Sequence, residues 1–98
     1  MEILVLVTYD VVTKSSAGQK RLRRVAKTCE NYGVRVQNSV FECIVDATQL
    51  KQLQLTLTEI INEKEDSLRF YNLGNNYKTK VLHLGSKQTF NVEDTLIL

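Results

Sequence analysis

The chain has 98 residues, 43% of them hydrophobic, and a net charge of +2 from 13 basic and 11 acidic side chains. That length makes one small globular domain spanning 1–98, with a core over 1–85 and a tail over 86–98, and it leaves stability from oligomerisation to be expected. No stretch approaches the roughly 20 apolar residues that cross a bilayer, and the apolar start lacks a basic segment before it, so it reads as structure and not as a leader.

The first ten residues, Met-Glu-Ile-Leu-Val-Leu-Val-Thr-Tyr-Asp, predict a strand from about Glu2 to Tyr9, closed by Asp10. A polar connection over Thr13–Gly18 leads into a helix starting near Ser16, with Gln19 placed for a capping box. Its apolar stripe is Leu22, Val25, Ala26, Cys29 and Tyr32, which leaves Arg21, Arg23, Arg24 and Lys27 outside it. Gly33 is expected at the C′ position.

Val34–Gln37 and Val40–Val45 read as two strands around the turn Asn38-Ser39, and Asp46 with Gln49 as a second capping box. Leu50, Leu53, Leu57, Ile60 and Ile61 make one face of a helix reaching about Lys64. Ser67–Leu73 and Thr79–Leu84 are predicted as further strands, separated by Gly74-Asn75-Asn76. The order is that of an α+β, ferredoxin-like βαββαβ fold with an antiparallel sheet and an additional C-terminal strand.

Two helices cover one face of such a sheet. Yet the first strand is apolar on both sides, Ile3, Val5 and Val7 against Leu4 and Leu6. So is the third, Phe41, Cys43 and Val45 against Val40 and Ile44. The open face needs a cover, and a second copy of the chain is the simplest one, so a two-fold homodimer is expected.

Charge is concentrated. The segment Lys14–Arg35 carries seven basic residues and one acid, Glu30, for a net +6, while the rest of the chain carries −4. Such a field suits polyanions, and arginines suit phosphate contacts that follow shape rather than sequence. Asp10, at the edge of that field, either caps a turn or holds a divalent ion against a phosphate. One carboxylate is a weak metal site, but Asp10 from two protomers could share an ion that activates water for phosphodiester hydrolysis. His83, the only histidine, reads as an ordinary partly buried side chain, and Tyr9 and Phe41 could stack or pack. Cys29 and Cys43 lack CxxC spacing and read as reduced thiols of a cytoplasmic protein. No nucleophilic triad, GxGxxG or GxxxxGK[ST] is present.

Val-Thr-Tyr-Asp-Val at 7–11, Arg-Leu-Arg-Arg-Val-Ala-Lys at 21–27, Tyr-Gly-Val-Arg-Val-Gln-Asn-Ser-Val-Phe-Glu-Cys at 32–43 and Leu-Arg-Phe-Tyr-Asn-Leu-Gly at 68–74 resemble the CRISPR-associated Cas2 family. The resemblance covers about residues 1–85 and is nearest the type I-C branch. It implies a ferredoxin-like homodimer with its metal-site aspartate at Asp10, taking Mg2+ or Mn2+, and places Tyr9, Arg24, Arg35, Ser39 and Phe41 at positions linked to nuclease activity. It further implies endonuclease action on single-stranded RNA or double-stranded DNA. A role in spacer acquisition follows too, bridging the CRISPR integrase Cas1 on protospacer DNA, with the C-terminal strand and tail reaching a partner.

The resulting reading is a cytoplasmic CRISPR adaptation protein with antiviral function, acting as a magnesium-dependent endonuclease and as a duplex-DNA scaffold. Asp10, Tyr9, Ser39 and Phe41 are its expected catalytic residues, with Asp10 the metal ligand. Arg21, Arg23, Arg24, Lys27 and Arg35 are its expected nucleic-acid contacts. A pure scaffold with an inert Asp10, or a ribonuclease toxin of the same fold, stays open. A ferredoxin-like RNA-binding domain fits less well, because the two ring-stacking aromatics are missing.

Overall fold

In the computed structural model, which describes residues 1–85, the alternation along the first strand decides the layers. β1 (Ile3–Asp10) buries Val5, Val7 and Tyr9 against the helices and turns Leu4, Leu6, Thr8 and Asp10 to the other side. α1 (Ser16–Glu30), β2 (Gly33–Gln37), β3 (Val40–Val45), α2 (Ala47–Ile60) and β4 (Ser67–Asn72) follow. The antiparallel sheet has the order β2-β3-β1-β4, so β1 sits inside it and β2 and β4 form its edges.

One core joins Val5, Val7, Tyr9, Phe41, Cys43 and Val45 of the sheet to Val25 and Cys29 of α1 and Leu53, Leu57 and Ile60 of α2. The two cysteines are free and fully buried, and burial pushes both thiols up to about 12, leaving them protonated and unreactive.

The open face is covered in part by the chain itself. Residues after β4 fold back so that Tyr77, in a 3₁₀ turn over Tyr77–Thr79, packs with Leu73 on Leu4 and Ile44. Leu6, Val34, Val40 and Tyr71 remain partly or well exposed there.

Four expectations need correction. The strand expected over Thr79–Leu84 does not form: the segment leaves its 3₁₀ turn without a ladder partner among the described residues, because Tyr77 pins it across the sheet face. The α1 cap is Ser15 and not Ser16; its hydroxyl accepts from the Gly18 N–H at 3.0 Å, while Gln19 reaches back to the Thr13 carbonyl. α2 stops at Ile60 and not near Lys64, because the Asp66 carboxylate captures the Asn62 N–H and the Asn62 side chain caps Lys64. Gly33 opens β2 and does not serve as a left-handed cap; a Cβ there would lie 2.1 Å from the Glu42 carbonyl oxygen, so the position requires closeness to β3. The Asp46–Gln49 capping box is present as expected. The tail, with Leu96-Ile97-Leu98, lies outside the described residues.

Candidate nucleic-acid site

Strand alternation separates the expected catalytic residues. Tyr9 points to the helix side of the sheet and Asp10 to the open side, one residue apart on β1. Asp10 is exposed, pairs in register with Ser67 of β4, and has no cationic partner among the described residues.

On the helix side, Tyr9, Ser39 and Arg35 do come together. The Ser39 carbonyl accepts from the Tyr9 N–H at 3.1 Å, and the Asn38 carbonyl accepts from the Tyr9 hydroxyl at 3.4 Å and from Arg35 at 3.3 Å. The Tyr9 and Phe41 rings stack with centroids 6.2 Å apart, and the Arg35 guanidinium lies 5.2 Å from the Phe41 ring centre. An open groove of about 410 Å³ runs between α1 and the β2–β3 turn, lined by Tyr9, Arg23, Arg35, Asn38 and Ser39 with Leu22 and Ala26.

Phe41 has no exposed surface, so it supports Tyr9 and Arg35 and cannot touch a substrate. Burial raises the Tyr9 phenol above its ordinary value, an effect that nearby Arg35 only opposes, so this hydroxyl stays protonated and is unsuited to act as a base.

The basic helix divides as well. Lys20, Arg23, Arg24 and Lys27 are exposed on α1, in the layer on the far side of the sheet from Asp10. Arg21 is not among them. Its Nε donates to Asp66 Oδ2 at 2.8 Å and its Nη2 to Glu65 at 3.1 Å, and its side chain is 16% exposed. The expectation that Arg21 contacts nucleic acid therefore gives way to a structural role, because its guanidinium is already engaged.

Asp66 is the residue that sequence reasoning missed. Its carboxylate, with no exposed surface, accepts from the Val12 N–H at 3.0 Å, the Asn62 N–H at 2.9 Å and Arg21. Burial pushes this carboxyl up, but the bonds from Arg21, Asn62 and Val12 outweigh it and hold the group below its ordinary value. The backbone just after Asp10 is thereby held from both sides. Asp66 takes the Val12 N–H, and Gly18 lies so close to the Val12 carbonyl that a Cβ would sit 2.0 Å from its oxygen. The signal available in sequence was an acid placed between the second helix and the fourth strand, directly before the residue opposite Asp10.

Among the described residues no three His, Cys, Asp or Glu side chains gather to hold a metal ion. Among the described residues, Asp10 therefore belongs to no such cluster. Magnesium usually keeps several waters and takes one or two carboxylates plus substrate phosphate. Asp10 suits it once a second carboxylate or the phosphate completes the set.

A family model described as CRISPR associated protein Cas2 matches residues 1–81. The chain belongs to this family. It is 66% identical over 95 residues to the CRISPR-associated endonuclease Cas2 of Halalkalibacterium halodurans, covering 97% of this chain and 99% of the relative. It is 56% identical to the CRISPR-associated endoribonuclease Cas2 of Chlorobaculum tepidum, covering 98% of this chain and all of the relative. Among solved structures, the crystal structure of Streptococcus pyogenes Cas2 at pH 6.5 superposes with a TM-score of 0.73 at 57% identity, covering 84% of this chain and 99% of that one. No helix among the described residues of this Cas2 protein is long and apolar enough to cross a membrane.

Proposed function

We propose that this Cas2 protein is an endonuclease of CRISPR adaptation that hydrolyses phosphodiester bonds at Asp10 and docks duplex DNA on α1. The observation that carries the reading is Asp10 itself: an exposed carboxylate at the end of a central strand, with no ion-pair partner among the described residues, in a chain closely similar to relatives named as endonucleases.

The acting unit is a homodimer. Its support is the open face, where Leu6, Val34, Val40 and Tyr71 are incompletely covered by the chain's own turn. If the two-fold axis passes near the ends of the β1 strands, two Asp10 carboxylates hold Mg2+ or Mn2+, which when bound supplies charge at the phosphate and activation of water. The hydrolysis consumes one water. Its oxygen joins phosphorus, one P–O ester bond breaks, and the leaving oxygen takes a proton. Asp10 orients this chemistry. Arg23, Arg24 and Lys27 hold the backbone of a duplex on the other layer, and the Arg23–Arg35 groove suits a phosphate at its edge. The protein works in the cytoplasm beside the CRISPR integrase Cas1, with single-stranded RNA a second substrate. Its free thiols fit that reducing compartment.

The test is Asp10→Asn. Cleavage of duplex DNA and single-stranded RNA should vanish with the variant or with chelator, and return to wild type with magnesium or manganese. DNA affinity and melting temperature should hold. Light scattering should give a dimer; a monomer would remove the paired-aspartate site. A pure scaffold is the second reading, favoured by the lack of a metal-holding cluster around Asp10 among the described residues. It wins if Asp10→Asn cleaves as wild type does, since the activity is then a contaminant.

A further inference from the structure

On the open face, the β1–β4 register sets Ser67, Arg69 and Tyr71 opposite Asp10, Thr8 and Leu6. Arg69 is therefore the diagonal neighbour of Asp10 on the same face, about 7–8 Å away between Cα atoms, a span that an arginine stem covers. Its Nη1 donates to the Tyr71 hydroxyl at 3.2 Å; both residues are exposed in the single chain, and Tyr71, opposite Leu6, lies on the part of this face assigned to the dimer, one pair farther along β4 from Asp10. A guanidinium has five N–H donors, and among the described residues no carboxylate pairs with this one.

The other arginines are placed elsewhere. Arg21 is engaged by Asp66 and Glu65, Arg23 and Arg24 lie on α1 in the opposite layer, and Arg35 sits over Phe41 on that same helix side. Of this chain's arginines, Arg69 is therefore the one on the Asp10 face, placed to add to the charge that a bound ion would supply to a phosphate there. The planar guanidinium matches two phosphate oxygens at once, and donors fixed before reaction act most strongly on charge that develops during it.

We propose that Arg69 binds the scissile phosphate beside Asp10 and stabilises the charge that builds on it during hydrolysis, with Tyr71 as the positioning residue that holds the guanidinium along β4. The assignment rests on the hydrolytic reading of Asp10. Arg69 stays protonated throughout and exchanges no proton with substrate or water.

Single-turnover cleavage of end-labelled duplex DNA and of single-stranded RNA, at saturating protein with magnesium, tests this in Arg69→Ala, Arg69→Lys, Tyr71→Phe and Asp10→Asn. Deleting one transition-state donor slows an enzyme by about 10²–10³, so Arg69→Ala should lose roughly 100-fold or more, with Arg69→Lys intermediate. Tyr71→Phe, which removes only the hydroxyl, should fall less than Arg69→Ala, and its loss should lie in the saturated rate and not in substrate affinity. Duplex binding in chelator should persist for Arg69→Ala, with the log–log salt slope reduced by roughly 0.9 at most. Melting curves establish that each variant is folded at the assay temperature; if Arg69→Ala is not, Arg69→Lys and Tyr71→Phe decide. Wild-type rates in the folded Arg69 variants, with Asp10→Asn inactive, overturn the Arg69 assignment and leave the hydrolytic reading standing. Loss of binding with an unchanged saturated rate also overturns it, since Arg69 is then a docking contact. If Asp10→Asn cleaves normally, or wild type cleaves neither substrate, the hydrolytic reading falls and Arg69 falls with it.

Discussion

Replacing Asp66 with Asn keeps the shape of the side chain but turns one acceptor oxygen into a donor. In the native protein Oδ1 accepts from the Val12 N–H and Arg21, and Oδ2 from the Asn62 N–H and Arg21. Whichever way the amide is turned, one backbone N–H faces an N–H₂ group and loses its partner. A buried donor left unsatisfied costs about 1–3 kcal/mol, and the surviving bond is weaker without the carboxylate charge. A total of about 3 kcal/mol is expected. For a domain near 100 residues, each kcal/mol moves the melting temperature by about 4–8 °C, so the variant should melt roughly 12–24 °C below wild type at neutral pH. The pH dependence has a definite sign. The folded-state pKa of Asp66 lies below its unfolded value, so its stabilisation is complete above the unfolded pKa and disappears as pH falls through the folded one. Wild type and Asp66→Asn should therefore converge in strongly acid buffer. Circular dichroism melts at one protein concentration, taken from neutral to acid pH, measure both quantities. A variant melting within about 2 °C of wild type at neutral pH, or a gap that does not narrow in acid, would refute the reasoning.

Replacing Arg23, Arg24 and Lys27 with Ala should weaken binding equally for unrelated duplex sequences and flatten its salt dependence by roughly 0.9 per lost phosphate contact; an unchanged slope would show that α1 faces away from DNA. Gly33→Ala should destabilise by about 3 kcal/mol, the upper part of the range for overpacking, because its Cβ meets the β3 backbone at Glu42 and Cys43 as well as the buried Cys43 sulfur, and the backbone atoms cannot turn away. Urea midpoints read this, and a midpoint equal to wild type would mean that β2 and β3 can separate without penalty.

The two helices and four of the strands were legible because period and punctuation agreed: Leu53, Leu57 and Ile60 repeat on one helical face, and Asp46 with Gln49 marks where that helix begins. Asp10 was legible as a strand end. The layer to which each site residue belongs was not, since Tyr9 and Asp10 are neighbours in sequence and opposites in the sheet. Charge composition likewise could not separate Arg21 from Arg23, because what distinguishes them is a carboxylate 45 residues away. Arg69 was hidden for a related reason. Its relation to Asp10 exists only once the antiparallel register of β1 and β4 is known. Residues 79–84 looked like a strand by hydropathy, but a strand also needs an edge to pair with, and Tyr77 directs the chain elsewhere.

The position of Asp10 at one end of β1 has a practical side. The strand runs from Ile3, and seven steps at about 3.3 Å each put roughly 23 Å between that residue and Asp10. Met1, 90% exposed, lies at the far end. A fluorophore or surface tether attached through the amino terminus is thus held a molecule's width from the carboxylate. Immobilised or dye-labelled protein prepared in this way should report on binding and cleavage without the handle crowding the chemistry.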